Sequence, residues 1–98
     1  MFNQDHPYFE QFSKLLQPFI SKNPQAKIFI FGSAVTKEKF NDIDVAIQGK
    51  VLTTDFLSLQ DNFEESDFPY IIDLRNLNEA STEFIEHINS LPKIWIQP

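Results

Sequence analysis

The stretch KIFIFGS, residues 27–33, decides the fold, because it leads a short apolar strand directly into a glycine turn. One lysine is followed by four β-branched or aromatic residues, and Gly32 then stops the run. A short continuous apolar run of this kind predicts a strand that is buried on both faces. The sequence therefore predicts a central strand that carries Gly32 and Ser33 to one end of a sheet.

A second strand is predicted in the stretch DIDVAI, residues 42–47, where acidic or small residues alternate with branched apolar ones. One face carries Asp42, Asp44 and Ala46, and the other carries only isoleucine and valine. Because side chains alternate between the two faces of a strand, this pattern predicts one solvent-exposed face and one core face.

Three further segments show the helical spacing of apolar residues: residues 7–21, residues 53–65 and the residues after Ser81. Pro18 is expected to kink or split the first helix, because proline removes a helical hydrogen bond. Thr53 or Thr54 is expected to cap the second helix, and Ser81 the third.

Residues 70–75 and 93–97 are short apolar runs that predict two more strands. The resulting order is helix, strand, strand, helix, strand, helix, strand. This order predicts an α/β (α+β) fold, in which helices pack on a small mixed β-sheet. A chain of 98 residues predicts a single domain, 1–98.

Composition narrows the possible functions. Fourteen acidic residues against eight basic ones give a formal charge of −6, so we expect no direct nucleic-acid binding, which requires a basic patch. Without cysteine there is neither a disulfide nor a thiolate metal site. The start of the chain does not resemble a signal peptide, and no apolar run reaches the ~20 residues of a membrane span. We therefore expect a cytoplasmic protein without a membrane partner.

The eleven phenylalanines are the compositional oddity. A core of this size is expected to leave some of the rings at or near the surface. Either they form a partner-binding face, or they belong to the apolar surface that every folded protein exposes.

Gly32-Ser33 and three aspartates are the candidate functional residues. A glycine after a strand lets a ligand approach the backbone, and the amides of such a turn favour an anion, although Gly-Ser is also an ordinary turn. Asp42 and Asp44 project to the same side of one strand and repel each other unless a cation lies between them. The alternative is a pair of solvated acids. Asp73, inside an apolar strand, needs either a metal or a salt bridge, for which Arg75 on the same face is the obvious partner.

If the strand of Asp73 lies beside that of Asp42 and Asp44, three carboxylates can hold two Mg²⁺ ions, which prefer oxygen ligands. Because side chains alternate along a strand, all three acids fall on solvent-exposed strand faces, and we predict that they converge at one end of the sheet. His6 and His87 are interpreted as surface residues, His6 in a mobile N-terminal segment. Tyr70 is interpreted as a packing residue that could also border a nucleotide.

Phe31-Gly32-Ser33, followed after residues 34–41 by Asp42-Ile43-Asp44-Val45 and later by Ile72-Asp73-Leu74, resembles the motif of the DNA polymerase β-like nucleotidyltransferases. Residues 7–97 as a whole resemble the minimal nucleotidyltransferases of prokaryotes.

The resemblance implies a role for each matching position. Gly32 and Ser33 would hold the β- and γ-phosphates of ATP, Asp42 and Asp44 would bind two Mg²⁺ ions, and Asp73 would complete the second metal site and help to deprotonate a hydroxyl. It also implies an antitoxin that transfers AMP to a hydroxyl of a helical HEPN-type toxin. Where many relatives carry a basic residue and a glycine after Gly-Ser, this chain has Ala34-Val35-Thr36-Lys37. The alternative is therefore a non-catalytic antitoxin that neutralises its partner by forming a complex.

Overall fold

The computed structural model describes all residues, Met1–Pro98. Its elements in chain order are α1 (Phe9–Lys22), β1 (Lys27–Phe31), α2 (Ser33–Thr36), β2 (Asp42–Gln48), α3 (Thr53–Glu65), β3 (Ile71–Asn76), a 3₁₀ turn (Leu77–Glu79), α4 (Thr82–Asn89) and β4 (Lys93–Gln97). This order confirms the predicted fold class. The short helix α2 was not predicted, because four residues are too few to show a helical period.

The four strands form one mixed sheet in the order β3-β2-β1-β4. β1 pairs antiparallel with both β2 and β4, whereas β2 and β3 are parallel. A parallel pair needs a crossover connection, and α3 provides it. β1 is therefore central and buried, as predicted, and β3 and β4 are the edge strands.

Apolar residues cover both faces of the sheet. On one face, α1 and α3 pack Phe12, Leu16 and Phe63 against the isoleucines and valine of β1 and β2. On the other face, α4 and the 3₁₀ turn bring Ile88 and Leu77 onto a smaller cluster of apolar residues. The cluster also contains Phe29, Phe31 and Ala46.

The position of Ala46 corrects one prediction. The face of β2 that carries Asp42, Asp44 and Ala46 was expected to be exposed to solvent, yet Ala46 is fully buried. α4 covers the far half of that face, so only the end with the two aspartates remains accessible. The alternating pattern did not indicate this cover, because alanine is compatible with either environment.

The helix ends differ in part from the predictions. Pro18 lies within a continuous α1, on its exposed side, so the predicted split is wrong. The N-cap of α3 is Leu52, without a side-chain hydrogen bond, so neither Thr53 nor Thr54 caps it. Ser81 caps α4 as predicted, because its Oγ accepts a hydrogen bond from the amide of Phe84 at 3.2 Å.

The N-terminal segment corrects the prediction for His6. Phe2 is fully buried, and its amide donates a 2.7 Å hydrogen bond to the carbonyl of Ala34 in α2. His6 is half-buried among aromatic rings, and its Nε2 lies 3.4 Å from the hydroxyl of Tyr70. Apolar burial of Phe2 thus holds residues 1–8 against the domain. His87 is exposed, as predicted.

Phe2 belongs to an aromatic cluster that accounts for much of the phenylalanine content. The cluster consists of Phe2, His6, Tyr8, Phe9, Phe12, Phe40, Phe63, Phe68 and Tyr70. None of the eleven phenylalanines is exposed, and most of the rings pack in the core or in this cluster, whereas Phe9, Phe40, Phe68 and Phe84 remain half-buried. None of the helices is long and apolar enough to cross a membrane.

Candidate active site

The three aspartates lie on neighbouring parallel strands. Asp44 of β2 is paired with Asp73 of β3, and Asp42 is paired with Ile71. In register-matched parallel strands, paired residues point to the same face, and the strands are about 4.8 Å apart. Asp42, Asp44 and Asp73 therefore occupy one face at the N-terminal ends of β2 and β3.

Gly32 brings the turn after β1 directly against this group. Phe31 is paired with Asp44 across the antiparallel ladder, so the next residue, Gly32, lies beside the Asp44 side chain. A Cβ atom built on Gly32 would lie 2.5 Å from Oδ2 of Asp44. Gly32 also has φ +81° and ψ −153°, a region that only glycine occupies readily. The backbone geometry requires glycine here, and a Cβ atom would also displace the Asp44 carboxylate.

Ser33 is the first residue of α2. The amides of Ser33 and Ala34 begin the helix, where no earlier turn supplies acceptors for them. The carbonyls of Gly32 and Ser33 accept hydrogen bonds from Val35 and Lys37, which fixes the turn. The turn therefore presents the backbone amides of Ser33 and Ala34 next to the Gly32–Asp44 contact.

The electrostatics of Asp44 are those of a crowded carboxylate. Burial raises the pKa of Asp44, the negative charges of Asp73 and Asp42 raise it further, and Arg75 opposes the shift. A cation between these carboxylates would remove the repulsion, and carboxylate oxygens are suitable ligands for Mg²⁺. Asp42, Asp44 and Asp73 therefore offer the type of oxygen donor that Mg²⁺ prefers.

Asp73 also has the salt bridge that was considered as its alternative role. Its Oδ2 lies 3.0 Å from a guanidinium nitrogen of Arg75, with both side chains about half exposed. In this arrangement no group of three or more Asp, Glu or His side chains lies close enough together to hold a metal ion. Asp42, Asp44 and Asp73 thus share a face and a register, while Asp73 is held by Arg75.

Phe40, Asn41 and Tyr70 support this end of the sheet, and sequence reasoning singled out only Tyr70. The rings of Phe40 and Tyr70 are stacked, with centroids 5.0 Å apart. The carbonyl of Asn41 accepts a hydrogen bond from Ile71 at 3.1 Å, which starts the β2–β3 ladder. A hollow of about 490 Å³ is lined by these three residues together with Glu38 and Lys39. The sequence could have indicated Phe40, because it lies only two residues before Asp42.

Solved structures with a similar fold exist. Two crystal structures of the toxin–antitoxin pair MntA–HpeT are similar to it, each 22% identical to this chain. The first, of a single mutant, has a TM-score of 0.63 and covers 97% of this chain and 73% of the matched chain. The second, of a double mutant, has a TM-score of 0.60 and covers 88% and 70%. At this identity the likeness shows a shared fold.

Sequence comparison supplies the family. No curated protein sequence matches this chain. The sequence profile described as "Polymerase beta, Nucleotidyltransferase" matches residues 14–94, which include the Gly-Ser turn and all three aspartates. With its fold, its ordered motif and this match over most of its length, the chain belongs to the polymerase β-type nucleotidyltransferase family.

Proposed function

We propose that this protein is a Mg²⁺-dependent nucleotidyltransferase that transfers AMP from ATP to a hydroxyl group of a partner protein. The observation that carries the proposal is the alignment of Gly32, Asp44 and Asp73 across three neighbouring strands. This alignment puts a turn with free backbone donors beside carboxylates that repel one another. The backbone donors of the turn suit the phosphates of a triphosphate, and the carboxylates suit a cation.

Each residue has a proposed role. Gly32 lets the phosphates approach the backbone, and Ser33 donates to the β- and γ-phosphates. Asp42 and Asp44 would hold two Mg²⁺ ions, and Asp73 would complete the second site. Bound magnesium would neutralise charge on the attacking and leaving oxygens. Asp73 also accepts the proton of the acceptor hydroxyl, whose oxygen forms a bond to the α-phosphorus while the bond to the β-phosphate bridge breaks and pyrophosphate leaves.

The proposed biological role is that of an antitoxin. The two similar solved structures are toxin–antitoxin complexes, and the motif resembles that of minimal nucleotidyltransferases. We propose a helical HEPN-type toxin as the partner and as the owner of the acceptor hydroxyl. A cytoplasmic location, where ATP and magnesium are available, goes with this proposal.

A second candidate is neutralisation of the toxin by occlusion, without turnover. The ion pair between Asp73 and Arg75 favours it, because a carboxylate oxygen that already contacts a guanidinium at 3.0 Å is less available to a metal ion. In this alternative the fold serves only as a binding scaffold.

Calorimetry with Mg²⁺–ATP tests the nucleotide site. Asp42→Asn and Asp44→Asn should each abolish binding while leaving the fold intact, because the amide cannot replace an anionic metal ligand. Asp61→Asn, an exposed carboxylate on α3, is the control and should bind as wild type. Undiminished affinity in both site variants would overturn the assignment.

A further inference from the structure

The free edge of β3 is the feature that the proposed site leaves unexplained. β3 is an edge strand, and its other side pairs with β2 over all six residues. The amide of Ile71 donates a hydrogen bond to the carbonyl of Asn41 on the β2 side. Because backbone groups alternate between the two edges of a strand, the amides and carbonyls of Asp73 and Arg75 also point towards β2. The amides and carbonyls of Ile72 and Leu74 therefore point outward, and no loop or side-chain hydrogen bond reaches them.

We infer that this edge binds an extended hydroxyl-bearing segment of a partner polypeptide, which adds a fifth strand beside β3. The inference rests on the proposed function, and it names the acceptor's conformation and its place on the sheet. Edge-strand addition obtains affinity from main-chain hydrogen bonds and specificity from alternate side chains.

The order of groups across the sheet supports this position. The Gly32 turn follows β1, Asp44 lies on β2, Asp73 lies on β3, and an added strand would come next. In an in-line displacement the attacking oxygen enters opposite the leaving group. With phosphates at Gly32, the hydroxyl must therefore enter from beyond Asp73. A residue about 4.8 Å away on an added strand would reach this position.

Two hollows lie beside β3 where side chains of an added strand would fall. One, of about 290 Å³, is lined by Phe63, Phe68, Ile71 and Ile72 near the start of the strand. The other, of about 470 Å³, is lined by Phe56, Leu74, Arg75 and Phe84 near its end. Ile71 is also 67% exposed, an unusual state for an isoleucine in a strand. These surfaces suit alternate apolar side chains of the docked segment.

The negative charge beside β3 indicates which other side chains the docked partner segment carries. The first hollow includes Glu64 and the second Glu79, and Asp73 lies between them on the strand. The only cation there, Arg75, is paired with Asp73, and the whole chain carries a formal charge of −6. The segment should therefore combine basic and apolar residues around its hydroxyl residue.

Peptide binding without nucleotide tests this inference independently of catalysis. The probes are pools of ten-residue peptides with one central Tyr, Ser or Thr, flanked by apolar residues alternating with either Lys and Arg or Glu. Binding is followed by NMR of the ¹⁵N-labelled protein and by amide hydrogen exchange. We expect a basic pool to bind, to shift the β3 amides and to protect Ile72 and Leu74. The Glu pools should not bind.

Removing backbone hydrogen-bond donors, either from the peptide or from β3, provides the matched controls. N-methylation of the bound peptide along the pairing edge should weaken binding by about tenfold, since each hydrogen bond contributes up to ~1.5 kcal/mol. Ile72→Pro removes the outward amide of β3 and should weaken binding similarly, whereas Ile72→Ala, which loses side-chain volume but keeps the amide, should bind more tightly than Ile72→Pro.

Three results would overturn the inference: no basic pool binds, binding leaves Ile72 and Leu74 unprotected, or these amides are protected by concentration-dependent dimerisation of the protein alone. If the wild-type protein binds the basic peptides but transfers no AMP, the proposed function is refuted and the docking edge remains supported.

Discussion

Gly32 and Asp44 are in such close contact that a Cβ atom on the glycine would lie 2.5 Å from Oδ2 of the carboxylate. The backbone at Gly32 adds a second constraint through its φ of +81°. We predict that Gly32→Ala lowers the free energy of unfolding by about 1–3 kcal/mol through backbone strain and abolishes Mg²⁺–ATP binding. Denaturant titration and calorimetry measure the two effects.

Gly49→Ala is the matched control for this variant. Gly49 also has a positive φ, +96°, and an added Cβ would approach the carbonyl of Gln25 at 3.1 Å. It should lose comparable stability while retaining nucleotide binding. Wild-type affinity of Gly32→Ala for Mg²⁺–ATP would show that the turn does not contact the nucleotide.

A second prediction follows from the raised pKa of Asp44. Because the folded-state pKa lies above the ordinary value of 3.8, the native protein binds more protons than the unfolded chain between the two values. The free energy of unfolding therefore falls as pH rises through this window and stays lowered at neutral pH. Asp44→Asn removes this penalty and should raise the melting temperature at pH 7 in the absence of magnesium.

The gain should shrink as pH falls and disappear below pH 3.8, where Asp44 is protonated in both states. Melting curves over this pH range, with Asp61→Asn as the exposed control, measure it. A stability gain independent of pH would show that crowding of charge at Asp44 is not its cause.

The third prediction separates catalysis from occlusion. Asp73→Asn should reduce AMP transfer at least about a hundredfold, because loss of a metal ligand removes several kcal/mol of transition-state stabilisation. The same variant should still bind the toxin, since one carboxylate contributes little to a broad interface. Radiolabelled ATP with the purified pair measures transfer, and a growth-rescue assay measures neutralisation. If wild type and variant both protect cells and neither transfers label, neutralisation occurs by binding alone.

The fourth prediction concerns the N-terminal segment. Phe2 is fully buried within the aromatic cluster, so Phe2→Ala should lower the free energy of unfolding by about 3–5 kcal/mol. Phe2→Leu, which preserves most of the apolar volume, should cost less. Chemical denaturation of both variants measures the difference. A loss of less than about 1 kcal/mol for Phe2→Ala would contradict a core role of this segment.

The fifth prediction follows from the lowered pKa of His6. Burial is the main cause, and the N-terminal ammonium group adds to it. Between the folded-state pKa and the ordinary value of 6.5, the unfolded chain binds more protons than the native protein, so stability falls as pH decreases through this window. His6→Gln should show a smaller loss of melting temperature on acidification than wild type. His87→Gln, an exposed histidine on α4, should behave as wild type.

The element types were largely predictable, because hydrophobic periodicity reflects which side of each segment meets the core. The run KIFIFGS, residues 27–33, predicted the buried strand β1 and its turn, and Ser81 predicted its own helix cap. Pro18 and Thr53 were misjudged because local propensity yields to tertiary packing at helix ends and exposed positions.

The candidate site was predictable in its residue types and only partly in its environment. Alternation along β2 placed Asp42 and Asp44 on one face, and the structure places Asp73 in register with Asp44. The burial of Ala46 and the packing of His6 against Tyr70 depend on α4 and on the N-terminal segment. Those elements are distant in sequence, so no local pattern contains this information.

The sequence by itself determined the succession of helices and strands, the Gly-Ser turn, the three aspartates and the family to which they belong. Only the tertiary structure decided that β3 lies parallel to β2 at the edge of the sheet, that Gly32 touches Asp44, and that Phe2 closes the core. The physical reason is that periodicity records which face of a segment is buried, whereas strand order and side-chain contact depend on the long-range packing that covers each face.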